Sequence, residues 1–551
     1  MTRDFYPLDG SFLMTRVSVA VALLLLLVMP LSAEAQRLAP TTGLASNQVQ
    51  VLAPAGDSLW SGPLLTLYLE PADRPSPEDS LLAAQAPALT DEDNVVFALA
   101  AQNRPGPQGH VWAGLAFSAG QNVAAAGGFL VSTDGGETFA RRADQLDASE
   151  DTTVTYGSAT LPATPIVQEA NSAPQDLALG AEGDTAWVAG NQSGLRRSVD
   201  QGERWTRVVL PPDTLRSITP DSSYSFRVGP PQDNGGGWRN HVVFSTLVDE
   251  TGTLWAGTGA GLNRSRPEDI GPTGDRAWQR FEAGPQPDRL TGNTVVALAE
   301  QPRPTGRNPI WMASWAGSGG AGGQRFGVTT TPDGGNTFRK VLVGERIFDL
   351  AARQGRVFAV GEQGLFVSGN QGQTWRSIED FRLKGNAKTL PPEVSTRSVA
   401  VTPSALWVGT TEGLLRLDRA QEPRLLPDAE DAPAPRWTLL RAQVPVNPGP
   451  EQTSEQVPDV ETYAYPNPFV PGRDQLLRIA YELESAGPVT VTIYDFGMNK
   501  VWSTTETQPS GQQETTWDGT DDRGLRVPTG TYFYTVEGGG TTVRGKILLT
   551  N

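Results

Sequence analysis

The sequence predicts an all-β protein: a seven-bladed β-propeller followed by a small immunoglobulin-like β-sandwich, with six or eight blades also fitting the repeat spacing. Three observations predict it. A strand with a central Trp or Phe recurs along the chain, each time followed by a Gly-Leu strand. A turn of the form Ser/Thr-x-Asp/Asn-x-Gly-x-x-aromatic recurs behind those strands. Near residue 460 both patterns stop, and short strands between Gly-, Asp- and Pro-rich turns take over.

Taken in order, residues 1–35 read as a signal peptide. Arg16 precedes an apolar run from Val17 to Met29, and Ala33-Glu34-Ala35 has the small-x-small form of a cleavage site. The run is short of the ~20 residues a membrane span needs, which favours secretion over an anchor. No later stretch is apolar enough to span, so no membrane span is expected after signal removal. The roughly 515 residues beyond the signal exceed one ordinary core and suit a large repeat domain plus a small one. The chain has no Cys, so an exported form must be stable without disulfides, as suits a bacterial surface protein. A formal net charge of -17 opposes binding to nucleic acid or to anionic membranes.

Residues 36–442 carry the repeat. Its reference stretch is Ala405-Leu406-Trp407-Val408-Gly409, turned at Thr411-Glu412-Gly413 into Leu414 to Leu417, and the clearest copy of it is Thr253 to Leu262. The other copies centre on Trp60, Trp112, Trp187, Trp255, Trp311 and Phe358. Apolar strands such as Val95 to Leu99, Val242 to Phe244, Val295 to Leu298 and Ser398 to Val401 open the units. Within this region Pro71 to Asp93 reads as a long surface loop. Arg436 to Arg441 reads as a strand that returns to complete the first blade.

The turns are Ser132-x-Asp134-x-Gly136 with Phe139, Ser198-x-Asp200-x-Gly202 with Trp205, Thr331-x-Asp333-x-Gly335 with Phe338, and Ser368-x-Asn370-x-Gly372 with Trp375. The reason for these residue types is conformational. A short Asp or Asn side chain accepts backbone N–H bonds, the Gly takes a positive φ, and the aromatic packs back onto its blade. Burying such an aromatic is worth about 1.5–3 kcal/mol. These turns resemble the Asp-box, or BNR repeat, of sialidases, sortilin-type receptors, some glucanases and photosystem II assembly propellers. The Leu-Trp-x-Gly-Thr strands resemble the two-component-regulator propeller repeat. Both resemblances imply fold rather than any one activity.

Residues 443–460, rich in Pro, read as a linker, and residues 461–551 as the sandwich. Its strands are expected at Leu476 to Tyr481, Val489 to Tyr494, Lys500 to Thr504, Gln512 to Trp517, Gly530 to Glu537 and Thr541 to Leu549. Tyr465-Pro466-Asn467-Pro468-Phe469, Val491 to Asp495, Trp517-Asp518-Gly519, Gly530-Thr531-Tyr532 and Gly545-Lys546-Ile547 resemble, in that order, two related families. These are the Ig-like domain of FlgD hook-capping proteins and the type A C-terminal sorting domain of type IX secretion substrates. The resemblance implies a partner in the export machinery. The ending Leu549-Thr550-Asn551 departs from it, lacking the basic residue frequent there.

Chemistry is sparse. With only His110 and His241 and no Cys, zinc sites and Cys or His catalysis find little support, and no cofactor is expected. His241 reads as structural. Acid runs at Asp91 to Asp93, Glu150-Asp151 and Asp428 to Asp431 lack calcium-loop spacing. A sialidase would need an Arg triad, a Tyr nucleophile and an Arg-Ile-Pro stretch, which is missing. A glucanase would need two carboxylates facing one cleft. The main expectation is therefore an exported, non-enzymatic scaffold that binds a protein or glycan through loops around Trp315 to Gly323 and Ser222 to Trp238. A propeller glycoside hydrolase and a structural part of a surface layer or gliding apparatus remain the alternatives.

Overall fold

The computed structural model describes residues 38–40, 47–69, 81–84, 94–102, 109–120, 123–170, 172–232, 236–317, 323–384, 390, 394–429, 432–441, 461–471 and 476–550. The expected signal peptide and linker, and parts of the expected loops, lie outside them. Up to Leu440 the described residues form seven antiparallel sheets of four or five strands, plus a separate hairpin, Thr153–Tyr156 with Ala159–Pro162. The first strands of the sheets are, in turn, Leu52–Ala55, Val95–Gln102, Pro174–Leu179, Val243–Val248, Thr294–Glu300, Ile347–Arg353 and Thr396–Val401. Each lies beside the next, and the seventh lies beside the first. The sheets therefore close into a ring around a central channel. The Val49 N–H donates to Thr410 O at 2.9 Å and Ser398 Oγ to Val49 O at 3.2 Å, joining the last sheet to the first.

Closure differs from the expectation in one respect. Thr438–Leu440 pairs with Gly413–Asp418 and finishes the seventh sheet itself. The first sheet is finished instead by Leu81–Ala84 and Leu38–Pro40. Leu81–Ala84 comes from the stretch expected to be a loop, where four apolar residues sit among Pro and Asp and the flanking composition masks them.

Alternation along the Trp strands does not mark one wet face. All six residues of Ala405–Thr410 are buried, as are all five of Leu254–Thr258, because each sheet is pressed between two neighbours. The two repeated motifs meet across those boundaries. Trp60 stands edge-on to Phe139 at 5.8 Å, Trp112 to Trp205 at 5.9 Å and Trp311 to Trp375 at 6.1 Å. In each case the turn aromatic belongs to the following sheet, so it packs across the boundary onto the preceding blade. At the fifth sheet Phe338 packs on Phe281 of the fourth, at 5.0 Å.

The C-terminal module is a sandwich of Thr462–Tyr465, Leu477–Leu483 and Gly511–Trp517 against Lys500–Gln508, Gly487–Tyr494, Gly530–Gly538 and Thr541–Leu549. Its core gathers Phe469, Tyr481, Ile493, Trp517, Tyr534 and Ile547. Tyr532, Tyr534 and Val536 alternate inward along one strand, as a half-buried sheet requires. The strand Thr462–Tyr465 adds a seventh to the six expected.

Candidate binding surface at the channel mouth

The first strands share an irregularity near their starts. Pairing with the second strand skips one residue in six sheets, at Phe97, Gln175, Phe244, Val296, Phe348 and Arg397. Such a bulge re-aims the skipped side chain. All six, with Gln50 ahead of the first strand of sheet one, line a single cavity of about 560 Å³ at the channel mouth. Gln48, Trp315, Thr411 and Glu412 complete its lining. Below it the channel continues as about 520 Å³ walled by the first strands.

The mouth offers aromatic faces, amide groups and one cation. Trp315 Nε1 donates to Ile347 O at 2.7 Å, which holds the indole edge-on to Phe348 at 6.1 Å. Arg346 lies 4.5 Å over Trp315 and pairs with Glu362 at 2.8 Å. Arg397 is exposed and lies 5.5 Å from the Phe348 ring centre, with no carboxylate partner among the described residues. A guanidinium held on an aromatic face with its donors open to solvent can take an anionic or carbonyl-bearing group.

One residue deeper, the wall carries Asp176 and Asp349. Asp176 accepts from Leu177 N and Thr246 N, both at 2.8 Å, and Asp349 from Leu350 N at 2.8 Å and Val399 N at 2.9 Å. In each pair the second donor belongs to the next sheet. Burial in the wall raises Asp176 to about 7 and Asp349 to about 6, against the pull of the N–H donors. Each carboxylate oxygen accepts one backbone N–H, so these groups tie neighbouring sheets together. Glu412, the one carboxylate among the described residues lining the mouth, is buried and ion-paired with Arg478 of the C-terminal module. Arg441 extends this joint, donating through Nε to Glu412 O at 3.0 Å and pairing with Glu514 at 3.3 Å. Tyr465 donates its hydroxyl to Glu514.

The other sequence-selected residues sit in turns and cores. Ser132 Oγ accepts from Gly136 N at 2.9 Å, and Asp134 Oδ1 accepts from Thr138 N at 3.0 Å. The same pattern holds at Ser198, Asp200 and Gly202, at Thr331, Asp333 and Gly335, and at Ser368, Asn370 and Gly372. Burial pushes Asp134 up, but hydrogen bonds from Ser132 and Thr138 outweigh it and hold the carboxyl below its ordinary value. In the module, Asn467 accepts from Leu548 N at 2.8 Å, Trp517 Nε1 donates to Thr520 O at 2.7 Å and Tyr532 donates to Pro528 O at 2.6 Å. His241 is buried, its Nδ1 accepting from Gly229 N and its Nε2 facing Leu210 O, both at 2.9 Å; burial lowers its pKa.

The ring residues were not selected from the sequence. Their signal was a break in period-2 alternation, adjacent apolar residues such as Val96-Phe97 and Val243-Phe244 near a strand start. Among the described residues of the two loops expected to bind, Trp315 of the first lines the mouth and none of the second does.

Together the closed ring and the sandwich define a β-propeller protein with a C-terminal Ig-like module. Residues 472–541 match the family described as the FlgD Ig-like domain. The chain is similar to PorZ, described as an essential bacterial surface component of the type-IX secretion system of Porphyromonas gingivalis. That similarity has 15% identity over 92% of this chain and 71% of that one, with a TM-score of 0.39. It is also similar to the GH74 xyloglucanase of Xanthomonas campestris, with 12% identity over 73% of this chain and 56% of that one, TM-score 0.43. FlgD of P. aeruginosa is 26% identical over 13% of this chain and 60% of its own, TM-score 0.12. No curated protein matches the chain. No helix among the described residues is long and apolar enough to cross a membrane.

Proposed function

We propose that the chain is an exported bacterial surface or secreted protein whose propeller is a non-enzymatic scaffold, binding a protein or glycan at the channel mouth. The observation that carries this reading is the ring of bulged residues: six sheets each turn one side chain into the same cavity. Aromatic faces with amides suit both sugar rings and extended peptide. Support for a role without catalysis comes from the carboxylates, all engaged at the mouth and in the wall beneath it. The four repeated turns act as structural Asp-boxes. Residues 461–551 serve as the export module, recognised by secretion machinery; the FlgD Ig-like match and the signal-like residues 1–35 support this.

Fractionation of source cells with intact-mass measurement tests the export half. A surface or medium form, with or without the last ~90 residues, is the expected result, and a protein confined to the cytoplasm contradicts it. A glycan array together with an envelope pull-down tests the binding half. Clean negatives in both, or turnover of chromogenic glycosides abolished by one acid-to-amide change, would replace the scaffold reading.

A further inference from the structure

The fourth sheet breaks the repeated turn. Ser265 stands where the other turns have Ser or Thr, but Pro267 replaces the Asp or Asn, and Pro267–Asp269 forms a 3-10 turn. The connection to Trp278–Phe281 then runs out as a longer loop. In three of the four turns the Gly closes on a Trp: a Cβ on Gly136 would lie 2.3 Å from Trp60, one on Gly202 3.1 Å from Trp112 and one on Gly372 2.7 Å from Trp311, while Gly335 closes on Arg264 and Phe281. Trp187, the corresponding residue of the third sheet, receives no such turn. It borders a cleft of about 520 Å³, shared with Trp278, Arg197, Arg276 and the hairpin Thr153–Tyr156. Tyr156 holds the hairpin there, donating to Arg276 O at 2.9 Å, and Gly157 N donates to Asp275 at 2.8 Å.

The cleft wall carries the guanidiniums of Arg197, Arg207 and Arg276 and the indoles of Trp187 and Trp278, against one carboxylate, Asp275, among the described residues. Arg276 lies 5.7 Å from the Trp187 ring centre, and its Nε and Nη1 are buried without a hydrogen-bond partner. The indole N–H groups of Trp187 and Trp278 are likewise unpartnered. Arg197 sits directly across the strand pair from Trp187, and its side chain has no partner among the described residues. Arginines at the matching cross-strand position elsewhere are engaged: Arg264 donates to Gly334 O and Gln279, and Arg416 to Asp418. Of the nearby acids, Asp275, itself in the cleft wall, accepts from Gly157 N and Thr273 Oγ1 on one oxygen, and Asp269 accepts from Arg266 N. Burial, then the neighbouring Arg197 charge, lowers Arg276 to about 10, which leaves it cationic at neutral pH. The buried, unpartnered Nε and Nη1 of Arg276 need a reason in a chain of net charge -17, since a buried donor without an acceptor costs free energy; half-buried Arg197 adds a second cation beside them.

We infer that this cleft binds a small carboxylic acid, its carboxylate on Arg197 and Arg276 and its apolar body against Trp187, Trp278, Val154 and Val208. The cavity is far larger than a bare oxyanion, and Trp187, Trp278, Val154 and Val208 give its wall apolar surface, so the charge must come attached to an apolar, ring-sized group.

Calorimetry on the full chain with benzoate, its neutral counterpart benzamide and inorganic phosphate tests this. Benzoate is expected to bind saturably and raise Tm, benzamide not to bind, and phosphate to bind at least tenfold more weakly. Arg276→Met and Arg197→Met should each weaken benzoate about tenfold or more while Tm without ligand changes little, since neither removes a hydrogen bond or ion pair and the Met side chain keeps the packing on Trp187; Arg204→Met, an exposed control, should change nothing. No saturable benzoate binding into the millimolar range, or binding unchanged in Arg276→Met, overturns the assignment. Phosphate binding as tightly as benzoate overturns the choice of an organic acid.

Discussion

Two kinds of boundary account for six of the ring's seven seams; the seventh, between sheets seven and one, is joined through Val49. Between sheets one and two, two and three, four and five, and five and six, a repeated turn closes the seam from outside, its aromatic set on the preceding sheet. Between sheets three and four, and six and seven, that turn is missing, and an aspartate ties the seam from the channel side: Asp176 to Thr246, and Asp349 to Val399. At the wall position of Asp176, the second sheet carries only Ala98, and the seam it makes with sheet three has its turn. The lesson is that a repeat protein can drop a staple where a second tie exists. The seam so opened between sheets three and four becomes free to hold something else.

Substitutions on either side of this comparison test it. The largest effect is expected for Trp311→Ala at a stapled seam, about 3–5 kcal/mol of unfolding free energy, because the indole is fully buried and its Nε1 donates to Gln301 at 3.1 Å. Trp187→Ala at the open seam should cost less by denaturant titration. Equal losses would mean that the turn adds little to the packing of its Trp.

Asp176→Ala comes next, since it strands the N–H groups of Leu177 and Thr246 at a seam without a staple, a cost of about 2–3 kcal/mol. Its pH signature separates it from other losses. The folded state raises Asp176 to about 7 from 3.8, so the folded protein resists ionisation and stability falls as pH climbs through that window. Asp176→Asn should flatten the fall between about pH 4 and pH 7, leaving the smaller one from Asp349, which ends near 6. An unchanged pH profile would remove Asp176 from the account. His241 has the opposite sign: its lowered pKa means stability is lost as pH falls below its ordinary 6.5.

Gly372→Ala and Gly274→Ala make a matched pair of intermediate size. Their φ values are similar, +75° and +83°, but a Cβ on the first would meet Trp311 whereas the second has open space. Both incur about 1–2 kcal/mol for left-handed backbone, and the collision adds about 1–3 kcal/mol to the first alone. Smallest is Ser198→Ala against Ser265→Ala. Ser198 Oγ accepts from Gly202 N at 2.9 Å, and its loss should cost about 1 kcal/mol; Ser265 Oγ is unpartnered, and its loss should cost close to nothing.

The sequence made the ring of sheets legible because Trp strands and turn glycines are local: each needs only its own few neighbours to be recognised. It hid what depends on pairing register. Whether Phe97 or Ala98 faces the channel is decided by the hydrogen bonds of the second strand, so the mouth ring could not be assembled from composition. It also hid partners across seams, such as which Trp or Phe of the preceding sheet each turn aromatic meets. Pro267 in place of the turn Asp was visible, but nothing local said that the vacated space would face Arg197 and Arg276. In the C-terminal module the opposite held. Its motif residues, from Tyr465 to Lys546, were selected by resemblance; Phe469, Trp517 and Tyr532 lie in its core, and Lys546 is exposed.

The most direct test of the channel mouth as the binding face compares the wild-type chain with a Phe97→Ala/Phe348→Ala/Arg397→Ala variant, run side by side on a glycan array and in an envelope pull-down. Circular dichroism should first confirm that both fold. Loss in the variant of a ligand that the wild type retains is the predicted result. Equal retention by both proteins would contradict it, and would move the binding surface off the ring of bulged residues.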